Sequence, residues 1–193
     1  MNRFKNVQED LFNIAEIEFN EAIDESEQNK LVYSYFGLAM YWAQCIESTL
    51  ELMFILDRIA NGDEVSQEII DSLFEKIKKS KETMGVQIKK IKKIYSLSSE
   101  EESTLECVLK KRNHIAHKFF KNNSFKFFTK EGKLEMINEC TDFISLCKSH
   151  DKELTIHYKD YQMKIGLTDE ILEKEMKKVR EEEKNRIQDK YNS

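Results

Sequence analysis

The stretch Leu31-Val32-Tyr33-Ser34-Tyr35-Phe36-Gly37-Leu38-Ala39-Met40-Tyr41-Trp42-Ala43-Gln44-Cys45-Ile46-Glu47-Ser48-Thr49-Leu50-Glu51-Leu52-Met53-Phe54-Ile55-Leu56 decides the fold. As a helix it is long enough and apolar enough to raise a membrane span. Yet Gln44, Glu47, Ser48 and Glu51 recur inside it on a helical spacing. Carboxylates are costly in hydrocarbon, so the stretch reads instead as the centre of a buried helix over about residues 29 to 60. Its apolar side chains, from Tyr35 and Leu38 through Trp42, Cys45 and Ile46 to Leu50, Phe54 and Leu56, spread widely around the circumference. A helix of that kind is expected to be buried on most sides and to form the spine of a bundle.

The flanking sequence reads as more helices. Phe4, Val7, Leu11, Ile14 and Ala15 repeat at three and four, which predicts a first helix over about 4 to 24, with Asp24-Glu25-Ser26-Glu27 as its exit. Asn61-Gly62-Asp63 is a turn, and Ile69, Ile70, Leu73, Phe74 and Ile77 predict a shorter helix over about 65 to 79. Ser80 to Glu82 breaks it. Thr83 then caps a helix carrying Val86, Ile88, Ile91 and Ile94, with Gly85 in its first turn as a place for another backbone to come close. Ser98 or Ser99 caps the following helix, whose first turn holds Glu100 to Glu102 and which runs to the Phe119 region. After a loop at Asn122-Asn123-Ser124, a long helix starts at Thr129 to Glu131 and ends at Gly166, and Thr168-Asp169-Glu170 caps a last, very polar helix. The division expected is a helical domain over 1–166 and a polar helical extension over 167–193.

Composition agrees. With 35% charged residues, 5 Gly and no Pro, the chain of 193 residues suits one all-α domain with few tight turns. The N-terminal residues lack the apolar core of a signal peptide, so a cytoplasmic protein with no membrane contact is expected. The net charge of -5 argues against a protein that coats nucleic acid. It is unevenly placed, however. Residues 76–133 hold 16 Lys and Arg against 6 carboxylates, a net of +10, which leaves -15 for the rest. A basic middle between acidic ends fits a local anionic substrate.

The chemistry concentrates in Lys110-Lys111-Arg112-Asn113-His114-Ile115-Ala116-His117-Lys118-Phe119-Phe120. On a helix Asn113 and His117 share a face, and Arg112 can curl toward it. Arginine offers a fork of donors to phosphate oxygens, histidine exchanges a proton near neutral pH, and asparagine can orient either. Lys111 and Lys118 add charge for substrate. Cations at a helix C-terminus also complement the macrodipole, so capping is the competing account of these residues. Glu47 interrupts a largely buried helix and is expected to face this segment and orient Arg112 or His117; Arg58 and Lys111 are alternative partners. His114 is a supporting candidate, though a helix-face or core position suits it better.

These residues resemble the signature of the HEPN superfamily, small helical domains that include many metal-independent RNases: Arg112, a polar residue directly after it, three more residues and then His117. The likeness runs in layout from Thr83-Met84-Gly85 to about Cys147, roughly a third of the chain, and takes in Phe119-Phe120 and Glu131-Gly132. It implies an up-and-down helical bundle of HEPN type, here with an extra N-terminal helix and a polar C-terminal one. It also implies an endoribonuclease without cofactor, working as a homodimer on RNA in a toxin or anti-phage role, with an antitoxin or another defence-system protein as partner. Lys118 and Phe119 follow His117 where HEPN toxins paired with nucleotidyltransferase antitoxins have a tyrosine two residues on, so control by modifying that tyrosine is not expected. The alternative is a non-catalytic HEPN-like module that binds a nucleotide or a protein.

Two other groupings compete for notice. Cys140, Cys147, His150 and His157 have partial metal-ligand spacing, but one helix cannot easily bend all four around a tetrahedral ion, so no metal site is expected and the four cysteines read as reduced thiols. Phe125, Phe127 and Phe128 alternate with Lys126, a pattern that can stack single-stranded bases. Exposed phenylalanines are costly, and these are expected instead to plug the bundle.

Overall fold

The computed structural model describes residues 2–62, 68, 72, 75, 79 and 82–192, with the backbone alone for residues 2–10 and 192. The described residues contain no strand; six α-helices and one short 3-10 turn account for nearly all of them. The helices are α1 (Asn2–Glu21), α2 (Glu25–Ala60), α3 (Met84–Tyr95), α4 (Ser99–Asn122), α5 (Lys130–Lys164) and α6 (Asp169–Asn192), and the 3-10 turn is Lys126–Phe128. The helix expected over about 65 to 79, with Ile69, Ile70, Leu73, Phe74 and Ile77, lies outside the described residues, as do the side chains of Phe4 and Val7.

Paired positions give the helix directions. Glu18 on α1 meets Tyr35 on α2, so the first two helices form an antiparallel hairpin. α4 also runs antiparallel to α2, since Phe120 rests on Tyr33 and Arg112 reaches Glu47. α5 lies parallel to α2, because Lys133 meets Glu25 and Asp151 meets Thr49. The result is an all-α, up-and-down bundle around α2 and α5. Ala39, Ile46, Leu50 and Met53 of α2 are buried against Met136, Ile137, Phe143, Ile144 and Cys147 of α5. Each such side chain removed from water stabilises the fold by about 1.5–3 kcal/mol before chain entropy is counted.

Asp24-Glu25-Ser26-Glu27 is the start of α2 rather than the exit of α1. Asp24 accepts a hydrogen bond from the Glu27 N–H at 2.9 Å, the Glu27 carboxylate accepts from the Ile23 N–H at 2.8 Å, and the carboxylates of Glu25 and Glu27 sit in the positive first turn. α2 is also less covered than its sequence implies. Val32, Tyr35, Ala39, Ala43, Ile46 and Leu50 form the buried side, whereas Tyr33, Leu38 and Tyr41 are exposed.

The other ends follow local rules. At Ser98 a full capping box forms with Glu101. Thr83 occupies the N-cap of α3 without a hydroxyl cap bond, and a Cβ at Gly85 would stand 3.4 Å from the Leu109 side chain, with no backbone of another element as close. Gly166 at φ +77° closes α5, with the Leu167 N–H donating to the Gln162 carbonyl at 2.9 Å. Gly132 is the position where only glycine fits, since a Cβ there would stand 2.2 Å from the Lys126 carbonyl oxygen. α6 is exposed along nearly its whole length, including Ile171, Met176, Val179 and Ile187. Among the described residues no helix is long and apolar enough to cross a membrane.

Candidate functional site

α4 carries the Arg-to-His segment, and its rotation is fixed before that segment is reached. The capping box at Ser98 starts the helix, and the buried row Leu105, Val108, Ile115 and Phe119 turns one face inward. At 100° per residue Arg112 falls within the buried face, between Phe119 and Leu105, and Asn113, His117 and Phe120 fall on an outer strip roughly 80–140° further round the helix. Since Arg112 meets Glu47 and Phe120 rests on Tyr33 and Phe36, that strip runs alongside α2.

Arg112 is held at two points. Its Nη2 lies 2.8 Å from Glu47 Oε1, an ion pair whose angle falls outside hydrogen-bond geometry, with both side chains about a quarter exposed (28% and 26%). Its Nη1 donates to Asn113 Oδ1 at 3.1 Å. The Nε is buried with no partner. Arginine thus approaches the surface with its plane fixed by α2 on one side and by its own neighbour on the other. Asn113 spends its carbonyl on the guanidinium and not on the imidazole. His117 is exposed and makes no hydrogen bond or ion pair with a described residue.

The other candidates divide between two flanks. His114 Nε2 is 2.9 Å from Glu139 Oε1 on α5, and Glu139 also accepts from Asn123 Nδ2 at 3.3 Å, so the His114 ring serves the α4–α5 contact. Lys111 is exposed on the same flank: burial pushes the Cys147 thiol up to about 12, with Asp151 and Cys45 adding to this and the Lys111 charge opposing it. Burial likewise raises Cys140. Lys118 is exposed. The structure therefore brings Arg112, Asn113 and Glu47 together; His117 stands one helical turn beyond Asn113 without a hydrogen bond or ion pair to any of them, and His114 turns to Glu139.

Two features next to the site were not read from the sequence. The first turn of α3 stands beside it, for a Cβ at Gly85 would lie in contact with Leu109 and Gln87 donates to Glu51 at 3.2 Å, one helical turn from Glu47. An aromatic wall of Tyr33, Phe36, Phe119, Phe120 and Phe127, with ring centroids 4.9 to 6.4 Å apart, bounds its other end. The spacing of Phe120 three residues after His117 was the available signal for the wall. His157 is engaged elsewhere, with Glu101, and the ring of His150 is buried with Nδ1 2.9 Å from Glu153. Among the described residues no three His, Cys, Asp or Glu side chains gather as metal ligands would.

A fixed guanidinium can hold a phosphate oxygen, and an exposed imidazole on the same helix can exchange a proton. Comparisons with protein-family models, curated proteins and solved structures find no match for the chain.

Proposed function

We propose that the chain is a metal-independent endoribonuclease of the HEPN type, serving as a toxin or anti-phage effector. The observation that carries this reading is an Arg112 whose guanidinium is held by Glu47 and Asn113, with an exposed His117 one helical turn beyond Asn113 on the same helix. In the reaction the 2′-oxygen of RNA attacks the adjacent phosphorus and the bond to the 5′-oxygen of the next nucleotide breaks. One proton leaves the 2′-hydroxyl and one reaches the departing oxygen; His117 handles proton transfer and Arg112 stabilises the charge gathering on the equatorial oxygens. The products are a cyclic phosphate and a 5′-hydroxyl end. DNA lacks the attacking group and stays uncut.

The working unit of this reading is a homodimer. A single chain offers one free histidine at the site, whereas the reaction moves two protons. A twofold supplies the second without a second motif. What supports pairing is α2, whose exposed positions between Lys30 and Glu47 (Tyr33, Ser34, Gly37, Leu38, Tyr41 and Gln44) are all uncharged in a chain with 35% charged residues. A face of that composition, beside the Asn113 and His117 strip, fits a second copy. An antitoxin or another defence-system protein would then act on the assembled site.

A second reading, a non-catalytic module that binds a nucleotide or a protein, draws on the same ion pair, because Glu47 already neutralises Arg112. Mixed RNAs incubated with the pure protein in EDTA separate the two. Cleavage that disappears with His117→Ala or Arg112→Ala supports the nuclease; intact RNA under all conditions supports the module.

A further inference from the structure

The loop after α4 presents two phenylalanines to solvent by construction. Phe127 turns inward onto Tyr33 and Phe120, with the Lys133 ammonium 5.7 Å from its ring centre, while Phe125 and Phe128 are 86% and 76% exposed. Backbone bonds from Phe127 to Asn123, from Phe128 to Phe125 and from Thr129 to Lys126 hold the turn, and Asn123 beneath it is buried. Gly132 lets the turn lie directly on α5. The two rings are therefore held outward by a locked backbone. Phe125, at the N-cap of the 3-10 turn, and Phe128, its last residue, are three positions apart, so their Cα atoms lie roughly 6 Å apart along the axis.

Their surroundings are cationic. Lys118, Lys121 and Lys130 are exposed and pair with no described residue; Glu135 engages Lys126 at 2.9 Å, and Glu131 is exposed at the start of α5. α4 runs on for about one and a half helical turns beyond His117 to Asn122, and the turn follows at Lys126.

Resting on the ribonuclease reading above, we infer that Phe125 and Phe128 form a stacking platform for two unpaired bases of an RNA strand, whose phosphates are drawn by Lys118, Lys121 and Lys130 and whose chain continues to Arg112 and His117. Charge selects the occupant: exposed aromatics alone would suit an apolar partner, but three unpaired ammonium groups around them complement a polyanion. A duplex keeps its base faces covered, so the platform selects single strands. The enzyme would accordingly cut in loops and unpaired tails.

The test measures binding of the full-length protein to a fluorescent 2′-O-methyl oligoribonucleotide, which cannot be cleaved through its 2′-oxygen, in single-stranded and duplex form. Expected is preference for the single strand, lost by about fivefold to a hundredfold for each ring removed in Phe125→Ala and Phe128→Ala, with an unchanged salt slope. Lys118→Gln, Lys121→Gln and Lys130→Gln together should flatten the salt slope instead. Both sets alter exposed side chains, and a circular dichroism melt checks that each variant folds. Unaltered affinity in the phenylalanine variants would overturn the platform while leaving the nuclease reading intact if RNA is still cut. Ring-dependent binding by a protein that cuts nothing would uphold the platform and remove the nuclease. A fall in solution mass of the phenylalanine variants with unaltered RNA affinity would overturn the platform and make the turn a subunit contact.

Discussion

At the residue scale the candidate site depends on how firmly Arg112 is aimed. Glu47 touches the guanidinium from another helix, and an ion pair with a quarter of each side chain exposed contributes no more than about 1 kcal/mol to stability. Its larger effect is positional. Glu47→Gln keeps the shape and removes the charge, and should lower cleavage roughly ten- to hundredfold while the melting temperature moves by a few degrees at most. Rate assays beside thermal unfolding check this, and equal losses in both would make the pair merely structural. Contact between Glu47 and the Arg112 helix was legible because a carboxylate on a mostly buried helix needs a partner, though the sequence left Arg112 and His117, with Arg58 and Lys111 as alternatives, open. The Asn113 bond to Arg112 was not legible. Helical spacing puts Asn113 equally close to His117, and the choice depends on the arginine rotamer. A second residue-scale expectation concerns Glu101. Burial alone would raise its carboxyl, but hydrogen bonds from His157 and from the Ser98 side chain and backbone outweigh that and hold it at about 2, below its ordinary 4.5. A depressed acid favours the fold above its unfolded value and loses that contribution as pH falls from 4.5 through 2. The wild-type protein should therefore lose roughly 1–3 kcal/mol more than Glu101→Gln across that interval, as denaturant titrations at each pH would read.

Among the elements, the turn between α4 and α5 is the most constrained. A Cβ at Gly132 would run into the Lys126 backbone, which has no flexible end to give way, so Gly132→Ala should destabilise by about 1–3 kcal/mol and disturb the phenylalanine turn. A denaturant melt beside a near-ultraviolet spectrum checks it; unaltered stability would mean that the turn slides off α5 freely. The sequence marked Glu131-Gly132 as a helix opening, yet the need for glycine comes from a residue six positions earlier that local propensity does not see. The same blindness explains Asp24 to Glu27. Four polar residues between two apolar repeats serve equally as an exit or an N-terminus, and the reciprocal bonds of Asp24 and Glu27 settle it. Phe125 and Phe128 were expected inside because exposed aromatics are costly, a cost that a functional surface can bear.

For the whole molecule, the all-α class was legible from periodicity and from a chain without proline, since both act on every helix at once. How far α2 would be covered was not, because an uncharged helix reads alike whether its own chain or another copy lies over it. The homodimer is the prediction that belongs to this scale. Leu38→Glu puts a charge on the open face of α2, away from Arg112 and His117 in sequence, and should shift the solution mass to that of one chain and reduce cleavage with it. Light scattering reads the mass, and an active monomer would reject the shared site. The central claim concerns bond chemistry, and the most direct measurement of it is end-group analysis of RNA cut in EDTA by the wild-type protein and by His117→Ala. The account predicts cyclic phosphate and 5′-hydroxyl ends from the wild-type protein and none from the variant; 5′-phosphate ends, or the same products from both, would contradict it.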